Sequence, residues 1–209
     1  MTFDAIVFDM DGLLLDTERM TMEAGVLASA DIGLPLDETA FLSVVGIDRP
    51  GSLRKLVGLA DHAITEAELE AAWYGAFDRM IAEGIPAKDG AHDLLAHLHD
   101  SDHPKAIATN SSTHQATGRL KTSGLDRYFE TVVGFDLVPR AKPAPDVYVE
   151  AARRLGFDPA NCLAFEDSDH GARAAKSAGM TVVQIPDLVA TDGRHADFVA
   201  PDLLSGARM

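Results

Sequence analysis

The feature of this sequence that most restricts its fold is a series of short β-rich runs that alternate with helical patterns. Each run ends in polar residues, and the runs are residues 4–9, 104–110, 130–136, 161–167, 181–187 and 196–200. Between the later runs, apolar residues recur at helical spacing over 89–99 and 145–155, and the stretch 169–178 is rich in alanine. Strands that alternate with helices predict a parallel sheet covered on both faces. In such a sheet, ligands bind beyond the carboxyl ends of the strands.

Residues 17–83 interrupt the alternation, because they carry helical patterns without a convincing strand. The clearest helix start lies in the segment ITEAELEAAW, where Thr65 is placed as N-cap and Glu68 follows three residues later as its capping-box partner. Apolar residues then continue at helical spacing through Leu69 and Trp73. These patterns predict a helical insertion after the first strand.

The two patterns together define the predicted fold. We predict an α/β fold in which residues 1–15 and 87–209 form a Rossmann-like three-layer core with a parallel sheet, and residues 16–86 form an inserted α-helical cap domain. Hydrophobic residues make up 46% of the chain and charged residues 24%, which is the balance of an ordinary globular protein. At 209 residues the chain is long enough to bury a real core.

The charge balance argues against several classes of partner. Acidic residues outnumber basic ones by 33 to 18, which gives a formal net charge of −15 and a pI near 4.7. A surface of this kind repels nucleic acid and anionic membranes, because affinity for phosphate backbones depends on clustered lysine and arginine. A small anionic substrate remains compatible with this charge if a local site, such as a bound metal, reverses the field.

The cysteine content and the distribution of apolar residues indicate a cellular location. Cys162 is the only cysteine, so the chain cannot form an internal disulfide, as is usual in a reducing cytosol. No apolar run approaches the ~18 residues that would span a membrane, and no basic region precedes the short apolar run at the N-terminus. We therefore expect a cytoplasmic protein without a signal peptide or a membrane partner.

The segment FDMDG carries two carboxylates at the end of the first predicted strand. If the chain stays extended, Asp9 and Asp11 point to the same side, although Gly12 favours an immediate turn. Two close carboxylates either share a proton or hold a cation. With Mg²⁺ present, Asp9 could act as an oxygen ligand and nucleophile while Asp11 carries a proton for a leaving group. The alternative is an aspartate at a strand end followed by a turn-forming Asp-Gly pair.

A second acidic pair follows another predicted strand, in the segment FEDSDHG. Glu166 and Asp167 end this strand, and the residues after them open a helix. Acidic residues at a helix start are common, because they complement the helix dipole. Four carboxylates at one edge of a sheet nevertheless favour a hard divalent cation, and oxygen ligands favour Mg²⁺ over zinc.

Two further segments predict contacts with a phosphoryl group. The segment ATNSS predicts a phosphate-binding site just before a helix. Its groups would be the hydroxyl of Thr109, the backbone N–H of Asn110, Ser111 and the N-terminus of the following helix. In RAKPAPD, Lys142 lies between prolines that stiffen its loop, and its charge could neutralise Asp9 and a transferring phosphoryl group. The alternatives are an ordinary N-cap cluster and a solvated loop lysine.

Taken together, the four segments resemble the motifs of the haloacid dehalogenase superfamily. DMDG, ATNSS, KPAP and FEDSDHG occur in the order of that family, and a helical insertion separates the first two, as in subfamily IA members with a C1-type cap. The resemblance covers nearly the whole chain. A single DxD motif is weakly specific, whereas four motifs in this order with such an insertion are very specific.

The resemblance implies roles for individual residues. Asp9 would be the nucleophile and Asp11 the general acid/base, and Thr109 and Lys142 would bind the phosphoryl group. The cofactor would be Mg²⁺, held by Asp9, the backbone carbonyl of Asp11 and Asp167, with Glu166 as a direct or water-mediated partner. The implied activity is that of a phosphoric monoester hydrolase that works through an aspartyl-phosphate.

Departures from the family pattern separate its branches. The dehalogenases lack the second aspartate of the first motif, so Asp11 argues against dehalogenation. The phosphonate-cleaving branch needs a cap lysine, and Lys55, the only lysine between residues 16 and 86, lies in a predicted amphipathic helix. The β-phosphoglucomutase branch is closer, since its cap loop resembles VGIDR, but its cap histidine is replaced in the segment TERMTMEAG. A phosphatase acting on a small phosphate monoester, such as a sugar phosphate or a nucleotide-like compound, is therefore favoured.

The inserted domain supplies the remaining candidate residues. Gly46, Arg49 and Thr17 are predicted to contact the substrate, the alternatives being a helix-terminal glycine and a solvated arginine. The expected partner is a small phosphorylated metabolite, and the chain is expected to be a monomer or a homodimer. Two other functions stay open: a phosphosugar mutase with the same chemistry, and a catalytically silent binding or regulatory protein.

Overall fold

The computed structural model describes residues 2–45, 47, 49–60 and 63–208. The chain divides into two compact units. We call Met1–Asp16 together with Pro86–Met209 the core unit, and Thr17–Ile85 the helical unit.

The core unit is built on a parallel sheet. Across the described residues the sheet has six strands in the order β3-β2-β1-β4-β5-β6, and each neighbouring pair is parallel. The strands are β1 (Ala5–Phe8), β2 (Lys105–Ala108), β3 (Thr131–Val133), β4 (Cys162–Glu166), β5 (Thr181–Gln184) and β6 (Phe198–Val199). Helices cover both sides of this sheet. The prediction of an α/β fold with a Rossmann-like parallel core is confirmed.

The central strands are buried on both faces, which explains why their sequences are mostly apolar rather than alternating, with charged residues only at Lys105 and Glu166. All four residues of β1 are buried, as are all four of β2. On one face Ala5 and Val7 belong to an apolar cluster rich in alanine, whose small side chains let a helix approach the sheet closely. On the other face the ring of Phe8 stacks on that of Phe165, with 5.2 Å between the ring centroids.

Each unit has its own set of helices. The helical unit contains α1 (Thr17–Asp31), α2 (Glu38–Leu42), α3 (Arg49–Val57) and α4 (Glu66–Glu83). The core unit contains α5 (Ala91–Asp100), α6 (Thr113–Ser123), α7 (Asp146–Leu155), α8 (Asp169–Ser177) and α9 (Leu203–Gly206). Within the described residues, no helix is long and apolar enough to cross a membrane.

The helical unit has a small core of its own. Buried side chains of Phe41, Leu56 and Leu69 form part of this core, and the rings of Phe41 and Trp73 make a T-shaped contact with 5.0 Å between their centroids. The indole N–H of Trp73 donates to the backbone oxygen of Thr21 at 2.6 Å, so the buried polar end of this residue is satisfied. Trp73 is therefore a packing residue of α4.

One predicted strand ends earlier than its sequence suggests. Residues 130–136 form a β-rich run, but β3 stops at Val133 and a 3₁₀ turn follows over Phe135–Leu137. The carboxylate of Asp136 accepts hydrogen bonds from the backbone N–H of Thr113, at 2.6 Å, and from its hydroxyl, at 3.0 Å. This contact ties the turn that follows β3 to the first residue of the helix that begins at Thr113.

The strand order places several polar side chains at one edge of the sheet. β1 lies between β2 and β4, so the residues that follow these three strands are neighbours at their carboxyl ends. Asp9 follows β1, Thr109 follows β2, and Glu166 and Asp167 lie at the end of β4. The chain adds β2 and β3 on one side of β1 and then β4, β5 and β6 on the other side. Sheets of this type bind ligands at the point where the strand order reverses in this way.

Candidate active site

The centre of the site is a buried lysine between two carboxylates. The ammonium of Lys142 donates to Asp9 Oδ1 at 2.5 Å and to Glu166 Oε1 at 2.6 Å. The side chains of Lys142 and Glu166 are 5% and 0% exposed, so both charges are almost entirely removed from water. A buried charge is tolerated only when it is paired and hydrogen-bonded, and here each one is.

Glu166 is held by donors on both of its oxygens. Oε1 accepts from the Tyr148 hydroxyl at 2.6 Å as well as from Lys142. Oε2 accepts from the backbone N–H of Asp167 at 3.2 Å and from the backbone N–H and hydroxyl of Ser168 at 3.4 and 3.2 Å. The first turn of α8 lies directly against this carboxylate, because a β-carbon on Gly171 would stand 1.8 Å from Oε1. The carboxylate of Glu166 is thus an anchor for Lys142.

Burial and neighbouring charges shift the protonation of these groups. Burial raises the pKa of Asp9 to about 8, with Glu166 and Asp11 adding to the rise and Lys142 opposing it. Burial disfavours the Lys142 cation, but Asp9 and Glu166 outweigh it and hold the pKa of this lysine above its ordinary value. Burial and the Glu166 charge also raise the pKa of Tyr148, so its hydroxyl stays a hydrogen-bond donor. Asp9 therefore needs additional positive charge to ionise fully at neutral pH.

Three acidic side chains are close enough to share a cation. Asp9, Glu166 and Asp167 are all buried, and each offers an oxygen that lies within 4.8 Å of the others. An all-oxygen donor set of this kind suits Mg²⁺ better than zinc. The donor chemistry therefore fits the predicted metal.

Asp11 lies beyond the end of β1 and is held by a second cation. Arg119 Nη1 donates to Asp11 Oδ1 at 2.8 Å, and the Ser111 hydroxyl donates to Asp11 Oδ2 at 2.8 Å. The chain turns immediately after Asp11, where Gly12 has a φ of 85°. Arg119 was not among the residues that the sequence singled out, because its segment ATGRLKTSG reads as an ordinary exposed helix face and gives no signal of this contact.

The predicted phosphate-binding segment has partners within the core unit. The side chain of Asn110 accepts from the backbone N–H of Lys142 at 2.8 Å and donates to its carbonyl at 3.2 Å, so it clamps the lysine loop. Thr109 Oγ1 is buried and accepts from the backbone N–H of Ser111 at 3.0 Å. Ser112 forms a capping box with Gln115, and this box takes up part of the helix N-terminus that the sequence assigned to phosphate.

The candidate residues of the helical unit have contacts inside that unit. Arg49 Nε donates to Glu70 Oε1 at 2.5 Å, and its guanidinium lies 3.6 Å from the centroid of the Tyr74 ring. These residues help to line a cavity of about 330 Å³ in the helical unit. Thr17 is buried, and its hydroxyl has no hydrogen-bond partner in the described part of the chain. Gly46 lies outside the described residues.

Comparison with known proteins places this arrangement in one family. A family model for haloacid dehalogenase-like hydrolases matches residues 3–179. The chain is 33% identical over 188 residues to the fructose-1-phosphate phosphatase YqaB of Escherichia coli (strain K12), covering 88% of this chain and 96% of that protein.

Two solved structures share the fold over almost the whole chain. A HAD family hydrolase from Deinococcus radiodurans R1, with bound phosphate and sodium, superposes with a TM-score of 0.84 at 29% identity, covering 99% of this chain and 93% of that one. CbbY from Rhodobacter sphaeroides, in complex with phosphate, gives a TM-score of 0.73 at 27% identity, covering 99% and 96%.

The chain therefore belongs to the haloacid dehalogenase-like hydrolase family. The predictions of this family and of an enzyme of the hydrolase class are confirmed.

Proposed function

We propose that this hydrolase is a Mg²⁺-dependent phosphatase that acts on a small phosphate monoester, with sugar phosphates as the first substrate class to test. The observation that carries the proposal is the buried Asp9–Lys142–Glu166 group with Asp167 beside it, since this group joins a nucleophile, a cation and metal-ligating oxygens. The name of the Escherichia coli relative and the phosphate bound to both solved neighbours support the same class of substrate.

Asp9 and Asp167 would hold the metal, together with the backbone carbonyl of Asp11 that the family pattern implies. Glu166 is less suited to direct ligation, because both of its oxygens already accept hydrogen bonds from protein donors. Asp9, Glu166 and Asp167 carry three negative charges when ionised and face the cation of Lys142, which leaves two negative charges for a dication to balance. When bound, Mg²⁺ supplies the positive charge that keeps the nucleophile ionised and stabilises phosphoryl oxygens.

The proposed reaction has two displacements at phosphorus. In the first, a carboxylate oxygen of Asp9 attacks phosphorus, the bond to the leaving oxygen breaks, and Asp11 gives its proton to that oxygen. In the second, Asp11 takes a proton from water, the water oxygen attacks phosphorus, and the bond to Asp9 breaks to release phosphate. Lys142 offsets the negative charge on the nucleophile and the phosphoryl group.

Other predicted residues take supporting roles in this proposal. The hydroxyl of Thr109 and the backbone N–H of Asn110 would bind phosphoryl oxygens, Ser111 would border this site while its own N–H donates to Thr109, and the Asn110 side chain keeps Lys142 in place through its loop. Arg49 and Thr17 remain proposed contacts for the organic part of the substrate.

Magnesium is expected to stabilise the protein more at high pH than at low pH. The pKa of Asp9 is about 8 in the folded protein, against 3.8 for an ordinary aspartate, so the folded state keeps a proton that the unfolded state loses. The contribution of this group to the stability of the metal-free protein therefore falls as pH rises from about 4 to about 8. Asp9 would have to lose this proton to hold Mg²⁺, and this loss becomes easier as pH rises. At about 100 times the Kd, binding contributes about 3 kcal/mol, or roughly 5–10 °C in Tm at this chain length.

Thermal unfolding with and without Mg²⁺ at about pH 5.5 and about pH 8 measures this effect. The Mg²⁺-dependent rise in Tm should be larger at the higher pH and should be lost in Asp167→Asn, whereas Asp100→Asn, at the exposed end of α5, should keep it. An equal rise at both pH values, or none at either, would contradict the assignment of the metal to Asp9.

A phosphate-release screen tests the function itself. The panel would contain sugar phosphates, nucleotides and phosphoglycolate, each with and without Mg²⁺. We expect Mg²⁺-dependent phosphate release with the highest kcat/KM among sugar phosphates. Isomer formation that depends on a bisphosphate, with little free phosphate, would assign a mutase instead. No turnover across the panel would contradict an enzymatic role and favour a binding protein.

A further inference from the structure

We propose that Arg119 and Ser111 are positioning residues that fix the orientation of the Asp11 side chain for proton transfer. The proposal deepens the proposed phosphatase function and rests on it, since Asp11 is the group that protonates the leaving oxygen in that reaction. Neither residue needs to touch the substrate through its side chain for this role.

The three side chains form a closed set of hydrogen bonds. Arg119 Nη1 donates to Asp11 Oδ1 at 2.8 Å and to the Ser111 hydroxyl oxygen at 2.9 Å, and this hydroxyl donates to Asp11 Oδ2 at 2.8 Å. Both oxygens of the carboxylate are therefore fixed by different donors. Charge-assisted hydrogen bonds to an arginine are stronger and more directional than those between neutral groups.

The backbone alone does not fix this carboxylate. β1 ends at Phe8, and the positive φ of Gly12 turns the chain immediately after Asp11, so the side chain of Asp11 is not held by the pleat of a strand. Its side chain is 26% exposed, against 9% for Asp9. A carboxylate in such a turn can populate several rotamers unless partners select one.

The partners themselves come from a rigid element. Arg119 lies on α6, whose first turn is held by the Ser112–Gln115 capping box and by Asp136. A helix that is fixed at its N-terminus presents its side chains more precisely than a loop does. Ser111 lies just before this helix, and its backbone N–H donates to Thr109, which follows β2.

Orientation of Asp11 matters most when the leaving group needs a proton. An alkoxide leaving from a sugar phosphate is a strong base, so its departure depends on a well-placed acid. A nitrophenolate leaves without protonation, so the first displacement with nitrophenyl phosphate depends little on that acid. The two substrates together separate a loss of positioning from a general loss of structure.

The test compares kcat/KM for a sugar phosphate and for nitrophenyl phosphate in the Mg²⁺-loaded enzyme, since kcat/KM reports the steps up to the first displacement. Arg119→Gln should lower the value for the sugar phosphate about 10- to 100-fold and that for nitrophenyl phosphate by less than about threefold. Arg119→Lys, which keeps the charge, should recover part of the loss. Arg153→Gln removes an exposed arginine that pairs with Glu150 on α7, and should change neither value.

A second variant keeps the test decisive if Arg119→Gln does not fold. Ser111→Ala removes one hydrogen-bond donor to Asp11. It should lower kcat/KM for the sugar phosphate more than for nitrophenyl phosphate, by a smaller factor than Arg119→Gln does, with an unchanged circular dichroism spectrum. Equal losses for both substrates, or no loss for either, would overturn the proposal while leaving the phosphatase function intact. If the unmodified enzyme released no phosphate from either substrate, the proposed function would fail instead, and the positioning role would fail with it.

Discussion

Replacement of Asp9 by asparagine is expected to lower kcat by at least about 10³-fold with any phosphate monoester, because the variant lacks the oxygen nucleophile. The fold should survive, since asparagine has nearly the same shape. Burial raises the pKa of the Asp9 carboxyl, which means that its charged form is unfavourable in the folded protein. Asparagine removes this charge, so the metal-free variant should melt at the same or a higher temperature at about pH 8. Steady-state kinetics on nitrophenyl phosphate and circular dichroism measure the two effects.

The matched control for this variant is Asp100→Asn, which makes the same chemical change at the exposed end of α5. It should keep the activity and the melting temperature of the unmodified enzyme. Mg²⁺-dependent turnover by Asp9→Asn at more than a few per cent of the original rate would rule out Asp9 as the nucleophile.

Replacement of Gly171 by alanine is expected to damage both stability and turnover. The new β-carbon would lie 1.8 Å from Glu166 Oε1 and 1.9 Å from its carboxyl carbon, and the carboxylate can move away only by breaking the hydrogen bonds that hold both of its oxygens in a fully buried position. Overpacking of this kind lowers the free energy of unfolding by about 1–3 kcal/mol. Because Glu166 anchors Lys142, kcat should also fall by at least about 10-fold.

Gly118→Ala provides the control for that prediction. Gly118 lies within α6, and apart from its own residue, its chain neighbours and the nearby backbone of this helix, no heavy atom of the described residues lies within 4 Å of the position that a β-carbon would take. Alanine in a helix there should raise the free energy of unfolding by about 0.4–1 kcal/mol and leave kcat unchanged. Urea unfolding measures the free energy of unfolding of both variants, and steady-state kinetics measure kcat. If Gly171→Ala and Gly118→Ala have the same free energy of unfolding and the same kcat, the close packing of Gly171 against Glu166 is not needed for either property.

Much of the fold could be predicted from local sequence, because its signals are local. The parallel core followed from short apolar runs that alternate with helical patterns, and the capping box at Thr65 and Glu68 is present at the start of α4. The predicted run 130–136 extends past the end of β3, although Gly134 and Asp136 have low β propensity and mark this end locally. The contact between Asp136 and Thr113 spans 23 residues, and no local pattern encodes it.

The candidate site could be predicted only in part. Acidic residues at the ends of adjacent parallel strands must meet at one edge, so the neighbourhood of Asp9 and Asp167 follows from topology. The contact between Arg119 and Asp11 spans 108 residues and depends on how α6 is oriented, which no spacing in the sequence encodes. The contact of the Ser111 hydroxyl with Asp11 was not predictable for the same reason, and the predicted contact of Ser111 with the substrate stays a prediction.

The most direct test of the central claim is to trap the phosphorylated enzyme. Asp11→Asn mixed with nitrophenyl phosphate and Mg²⁺ should still form the bond from Asp9 to phosphorus, because this leaving group needs no proton, but should hydrolyse that bond slowly. After acid quenching, mass spectrometry should show one phosphoryl group on the peptide that contains Asp9, with a matching burst of nitrophenol. No burst and no phosphopeptide while the unmodified enzyme turns over, or a phosphoryl group on another residue, would contradict nucleophilic catalysis by Asp9.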